Sequence, residues 1–120
     1  MFDFNDYQKL ALRTAGNHGD FDKTMMYTAL GLNGEAGEVA EHIKKAFFHG
    51  HELDRAKLEK ELGDVLWYLA VMAHTMDIPL EDIARHNIEK LARRYPEGFS
   101  EERSRNRSDQ YSVFRREMRE

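Results

Sequence analysis

Met25, Ala29, Leu32, Ala36, Ala40, Ile43 and Phe47 follow one another at spacings of four and three. Leu58, Leu62, Val65, Leu69, Met72 and Met76 repeat the pattern further along the chain. A period near 3.5 residues is that of helices that bury one side against other helices. Proline, which would break such a run, occurs only at Pro79 and Pro96, outside both stripes. No alternation of period two competes with it. The chain is therefore expected to be all-α, and a helix with so long an apolar side needs neighbours to be stable.

The punctuation divides the sequence into four helices. The first is expected over about residues 5–15, with Tyr7, Leu10 and Ala11 on its apolar side, followed by a loop over 16–20. The second runs over 22–49 and stops at Gly50. Asp54 caps the third, expected over 55–76, and the all-round apolar stretch 65–73 should be enclosed by other helices. Pro79 opens a fourth helix over 80–94 and Pro96 closes it. An antiparallel four-helix bundle, completed by oligomerisation, is the economical arrangement. Residues 1–99 form its domain, and 100–120 form a polar, arginine-rich tail. In that tail 100–107 is expected to be extended or mobile, and 109–119 to be a frayed terminus or a short helix.

Composition excludes several classes of function. There is no cysteine, so thiol catalysis, disulfides and Cys-ligated zinc are excluded. A formal net charge of −4 gives no reason to expect nucleic acid binding. The longest apolar run, 65–73, falls far short of the roughly 20 residues that span a bilayer. The N-terminus carries no basic start and no apolar core of a signal peptide, so a cytoplasmic location is expected.

Chemistry concentrates in two blocks, Glu35-Ala36-Gly37-Glu38 and Glu61-Leu62-Gly63-Asp64. Each places two carboxylates three residues apart, hence one turn apart on one side of a helix. Glu35, Glu61 and Asp64 each directly precede a stripe residue, so they border the buried seam. Four anions gathered there repel one another unless cations lie between them, and an all-oxygen donor set favours Mg²⁺ or Mn²⁺. The simpler alternative is a solvated acidic face paired with Lys44, Lys45, Lys57 and Lys60. Gly31, Gly34, Gly37 and Gly63 argue against it. Each glycine inside a helix costs about 1 kcal/mol relative to alanine, a cost tolerated where a backbone or a ligand must approach. The histidines do not form a di-iron pattern, because none has a glutamate three residues before it; they read as surface or capping residues. On the fourth helix Asn87, Lys90 and Arg94 share one side, with Tyr95 beside them, and Asn87 falls within the apolar stripe. Such a row opposite metal-bound acids would suit a phosphate chain.

The segments 31–41, 61–68, 87–91 and Arg94-Tyr95-Pro96 together closely resemble the MazG-like, all-α nucleotide pyrophosphohydrolases, over about residues 25–107. The resemblance implies Mg²⁺ binding by Glu35, Glu38, Glu61 and Asp64, with Asn87, Lys90, Arg94 and Tyr95 near the phosphates. It implies hydrolysis of nucleoside triphosphates, often deoxynucleotides, to the monophosphate and pyrophosphate, in a homodimer or homotetramer. Many relatives carry a doubled glutamate where this chain has Gly34. Either Glu35 or Glu38 then serves as general base toward the attacking water. Phe47, Trp67 and Tyr68 are candidates for a base pocket as well as for the core. The competing reading is a non-catalytic helical module that keeps a nucleotide- or metal-binding pocket. No membrane and no nucleic acid partner is expected.

Overall fold

Helix α1, Phe4–Ala11, begins at a reciprocal cap: Asp3 accepts from the Asp6 N–H at 2.8 Å and Asp6 accepts from the Asp3 N–H at 3.1 Å. A 3₁₀ turn, Leu12–Thr14, follows it. Helix α2, Phe21–Phe48, is capped by Asp20. Helix α3, Arg55–Thr75, is capped by Asp54, as expected. Helix α4 spans Leu80–Arg94 and the short α5 spans Glu101–Arg105. The computed structural model describes residues 1–107, so the helix considered for 109–119 lies outside the described residues. Among the described residues there is no strand, only an isolated bridge between Pro96 and Gly98, and the all-α expectation is met.

Residues Met1–Glu81 form one compact unit and a second begins at Asp82. In the first, α2 and α3 pack along each other as a helical hairpin and α1 lies on α3. Its core joins Ala11 of α1 to Ala70 of α3 and Leu80 at the start of α4, with Tyr7, Leu66 and Trp67 against them. The α3 stretch 65–73 is only partly enclosed: Ala70, Val71 and Ala73 are buried, while Leu69 is exposed.

The expected apolar side of α1 needs correcting. Leu10 is 49% exposed and Gln8, a polar residue, is 7% exposed in its place. The cause is a three-way clamp. The Gln8 amide donates to the Ala70 and Ile78 carbonyls, both at 3.1 Å, and its oxygen accepts from the Leu80 N–H at 3.0 Å. Asn5 completes the start of α4 by accepting from the Glu81 N–H and donating to the Glu81 carboxylate. These side chains serve N–H groups at a helix start that has Pro79 before it. Asp77, at φ +57°, ends α3: its N–H bonds to His74 and the Ile78 N–H to Ala73, the double closure usually built on glycine.

The segment 100–107 also differs from expectation, since α5 lies within it. Ser100 caps the helix by accepting from the Arg103 N–H, Glu101 and Glu102 occupy the first turn, and Arg103 and Arg105 the last. That charge order suits the helix dipole.

Candidate active site

The two acid blocks face each other across the α2–α3 hairpin. Glu35 shows this most directly. Its carboxyl titrates above the ordinary 4.5, first through desolvation and then through the negative fields of Asp64, Glu38 and Glu61. All four acids therefore share one electrostatic neighbourhood, two contributed by α2 and two by α3. None of the four has an ion pair or a side-chain hydrogen bond among the described residues. The contrast is Glu41, one turn beyond Glu38, which pairs with Lys44 at 2.9 Å and Lys45 at 3.6 Å and whose carboxyl is lowered by those lysines. The solvated, lysine-paired face thus begins at Glu41 and leaves the quartet out.

Burial separates the four. Glu61 is 8% exposed, and its buried Oε2 has no hydrogen-bond partner. Glu35 is half-buried, and Glu38 and Asp64 are exposed. A carboxylate oxygen withdrawn from water without a donor is costly. The orphaned oxygen and the all-oxygen donor set both fit a hard divalent cation. Among the described residues no three His, Asp or Glu side chains are drawn together closely enough to hold a metal ion; the acids share a field without closing on one point.

A family model described as the MazG nucleotide pyrophosphohydrolase domain matches residues 23–99, which contain both acid blocks. The chain belongs to the MazG family. It is a hydrolase acting on nucleotide pyrophosphate bonds. Gene 37 protein of Mycobacterium phage L5 is 37% identical over 86 residues, covering 67% of this chain and 75% of the relative. A phosphoribosyl-ATP pyrophosphatase of Agrobacterium fabrum (strain C58) is 28% identical over 82 residues, covering 68% of this chain and 77% of the relative. No solved structure matches the chain significantly.

Around the quartet of this MazG domain the glycines do different work. A Cβ on Gly31 would overlap the Tyr68 ring, so Gly31 is a notch that admits Tyr68 between the helices. At Gly34, Gly37 and Gly63 a Cβ would meet open space among the described residues, so no neighbouring backbone there accounts for them. Tyr68 titrates above its ordinary 10.0, first because of its hydrogen bond to Tyr27, then through burial and the charges of Glu35 and Asp64. Tyr27 in turn carries the His18 ring stacked on it, centroids 3.7 Å apart and planes 14° apart. Tyr68 is one of the base-pocket candidates named from the sequence, whereas Tyr27 and His18 were missed, although Tyr27, Gly31 and Glu35 stand at i, i+4 and i+8 and Asp64 and Tyr68 at i and i+4. Trp67 is a structural residue: its indole N–H donates to the Ala11 carbonyl and the Thr14 hydroxyl. Phe47, also considered for the base, is 69% exposed.

A cleft of about 800 Å³ runs from Glu38 and Glu61 toward the hairpin loop, where it meets Lys45, Arg55 and Lys57. The loop is held there by His42, whose Nε2 accepts from the Asp54 N–H at 3.1 Å, a capping use of histidine as anticipated. Asn87, Lys90, Arg94 and Tyr95 lie in the second unit. Asn87 is exposed, so the buried, unpartnered amide suggested by its stripe position does not arise; Lys90, Arg94 and Tyr95 are half-buried. Tyr95 leans on Phe99, ring centroids 5.3 Å apart.

Among the described residues no helix is long and apolar enough to cross a membrane.

Proposed function

We propose that this MazG protein hydrolyses nucleoside triphosphates, deoxynucleotides above all, to the monophosphate and pyrophosphate, and that it clears unwanted nucleotides from the cytoplasmic pool. The observation that carries the reading is the partnerless quartet Glu35, Glu38, Glu61 and Asp64, with one oxygen of Glu61 buried and unsatisfied. These four acids would hold Mg²⁺, or Mn²⁺ in its place, which would supply neutralisation of charge on the polyphosphate and acidification of the attacking water. Glu35 or Glu38 takes the proton from that water as its oxygen bonds to the α-phosphorus, and the bond from that phosphorus to the bridging oxygen breaks to release pyrophosphate. The raised affinity of Glu35 for a proton suits it to this role. Asn87, Lys90, Arg94 and Tyr95 bind the phosphates, a reading supported by the charges of Lys90 and Arg94 and by the side of α4 that Asn87, Lys90 and Arg94 share, with Tyr95 directly after it. The catalytic domain is residues 1–99, with 100–120 appended to it, and the working form is a homodimer or homotetramer.

The test is a panel of nucleotides with product analysis. Pyrophosphate and monophosphate are the expected products, and release of orthophosphate alone would contradict the proposed bond. Glu61→Gln and Asp64→Asn should each reduce kcat at least 100-fold while the helical circular dichroism is unchanged. Full activity in both variants would remove the site assignment. Chelation should abolish turnover, and added Mg²⁺ or Mn²⁺ should restore it.

A further inference from the structure

Beside the acids lies an aromatic group that the proposed metal and phosphate chemistry does not use. Tyr68 lies within the fields of Glu35 and Asp64 and is seated in the Gly31 notch. Tyr27 leans on Tyr68, ring centroids 5.9 Å apart. One further ring outward, His18 lies nearly parallel on Tyr27. A nucleotide gripped by its phosphates at the acids carries its flat base away from them, and Tyr27, 38% exposed and one ring outward from Tyr68, offers that base a partner.

We infer that the Tyr27 ring is the stacking platform for the substrate's base, and that His18 occupies the platform until a base displaces it. The inference rests on the nucleotide-hydrolase reading above and adds the base subsite to it. His18 is a suitable placeholder. Its imidazole is the size of the smaller ring of a purine, and at 3.7 Å and 14° it adopts the geometry a stacked base would take. Its hold is local: Nε2 contacts the Ala15 carbonyl at 2.6 Å, within the same loop. Gly16 and Gly19 flank His18 in left-handed conformations, at φ +67° and +105°, and glycine passes between such conformations with little strain. With Tyr68 engaging Tyr27 from another direction, a base gains the platform by taking the place of His18. Stacking favours any planar base, so the device supplies affinity for the nucleoside half without selecting one base by hydrogen bonds.

Calorimetric titration with an α,β-imido analogue of dATP in Mg²⁺, and with inorganic tripolyphosphate as a probe that lacks a base, tests this directly. Tyr27→Leu should weaken binding of the analogue roughly tenfold or more, in the range of one base–aromatic stack. It should leave tripolyphosphate unchanged. His18→Ala, a change in an exposed loop that does not threaten the fold, should tighten the analogue several-fold and again leave tripolyphosphate unchanged. Tyr27→Phe, which keeps the ring and loses the hydroxyl, should bind the analogue like the parent chain. Weaker analogue binding in His18→Ala, or equal losses for both ligands in Tyr27→Leu, overturns the inference. If the parent chain hydrolyses nucleotides normally in that event, only the base subsite falls. If the parent chain binds neither ligand, the nucleotide reading falls with it.

Discussion

Glu35 is the acid on which the proximity of the other three is felt, and its proton affinity has a consequence for stability. Because its carboxyl is raised above 4.5, the folded chain holds the proton more tightly than the unfolded chain does. Stability from this group is therefore fully present below about 4.5 and is lost as the pH rises through the raised value. At neutral pH and without divalent metal, Glu35→Gln should raise the thermal midpoint slightly, because it removes the charge that Asp64, Glu38 and Glu61 oppose. The gain should disappear when both proteins are unfolded below pH 4.5, and it should shrink when Mg²⁺ is added to the parent chain. A lower midpoint for the variant in metal-free buffer at pH 7 would show that the four acids do not strain one another.

At the scale of elements, Gln8 makes α1 part of the fold. Its single amide closes three backbone groups, on α3, on the turn after it and at the start of α4. Gln8→Ala strands those groups in a buried place, and each such group costs about 1–3 kcal/mol when no water replaces the partner. Loss of roughly 2–3 kcal/mol is expected in denaturant unfolding, and a loss under 0.5 kcal/mol would mean that α1 is held by Ala11 and Tyr7 alone. The same residue marks how far the sequence could be read. The bounds of α2, α3 and α4, the Asp54 cap and the pairing of two acids per turn follow from spacing within one segment, and these were legible. Which side of the short α1 turns inward was not, because contacts far along the chain, at Ala70, Ile78 and Leu80, decide it. The acid blocks were legible for the same local reason that Tyr27 and His18 were not. Glu61 and Asp64 announce themselves three residues apart, whereas the tyrosine pair exists only because Gly31 on one helix lets in a ring from the other. Gly31→Ala should therefore displace the Tyr68 ring, which nuclear magnetic resonance of the tyrosine ring protons would register.

At the scale of the whole molecule, the described surface exposes several large apolar side chains. Met26, Leu30, Gly34 and Gly37 lie along one side of α2 at steps of four, four and three, with Met26 57% and Leu30 75% exposed. Leu62 and Leu69 on α3, and Met76 directly after it, are also exposed. Exposed apolar side chains of this kind are what the proposed oligomer would bury. The open space beside Gly34 and Gly37 makes the proposed oligomer testable in a way that mass alone does not. In an isolated chain, alanine at either glycine meets nothing within 4 Å. It should then stabilise the helix by about 1 kcal/mol. If a second copy brings its backbone against these positions, the added methyl group instead holds the copies apart. Light scattering at micromolar concentration should give a dimer or tetramer for the parent chain, and Gly34→Ala should shift it toward the monomer while lowering the thermal midpoint. A parent chain that is monomeric, or an alanine variant that is more stable at unchanged mass, would mean that no second copy packs against the glycines.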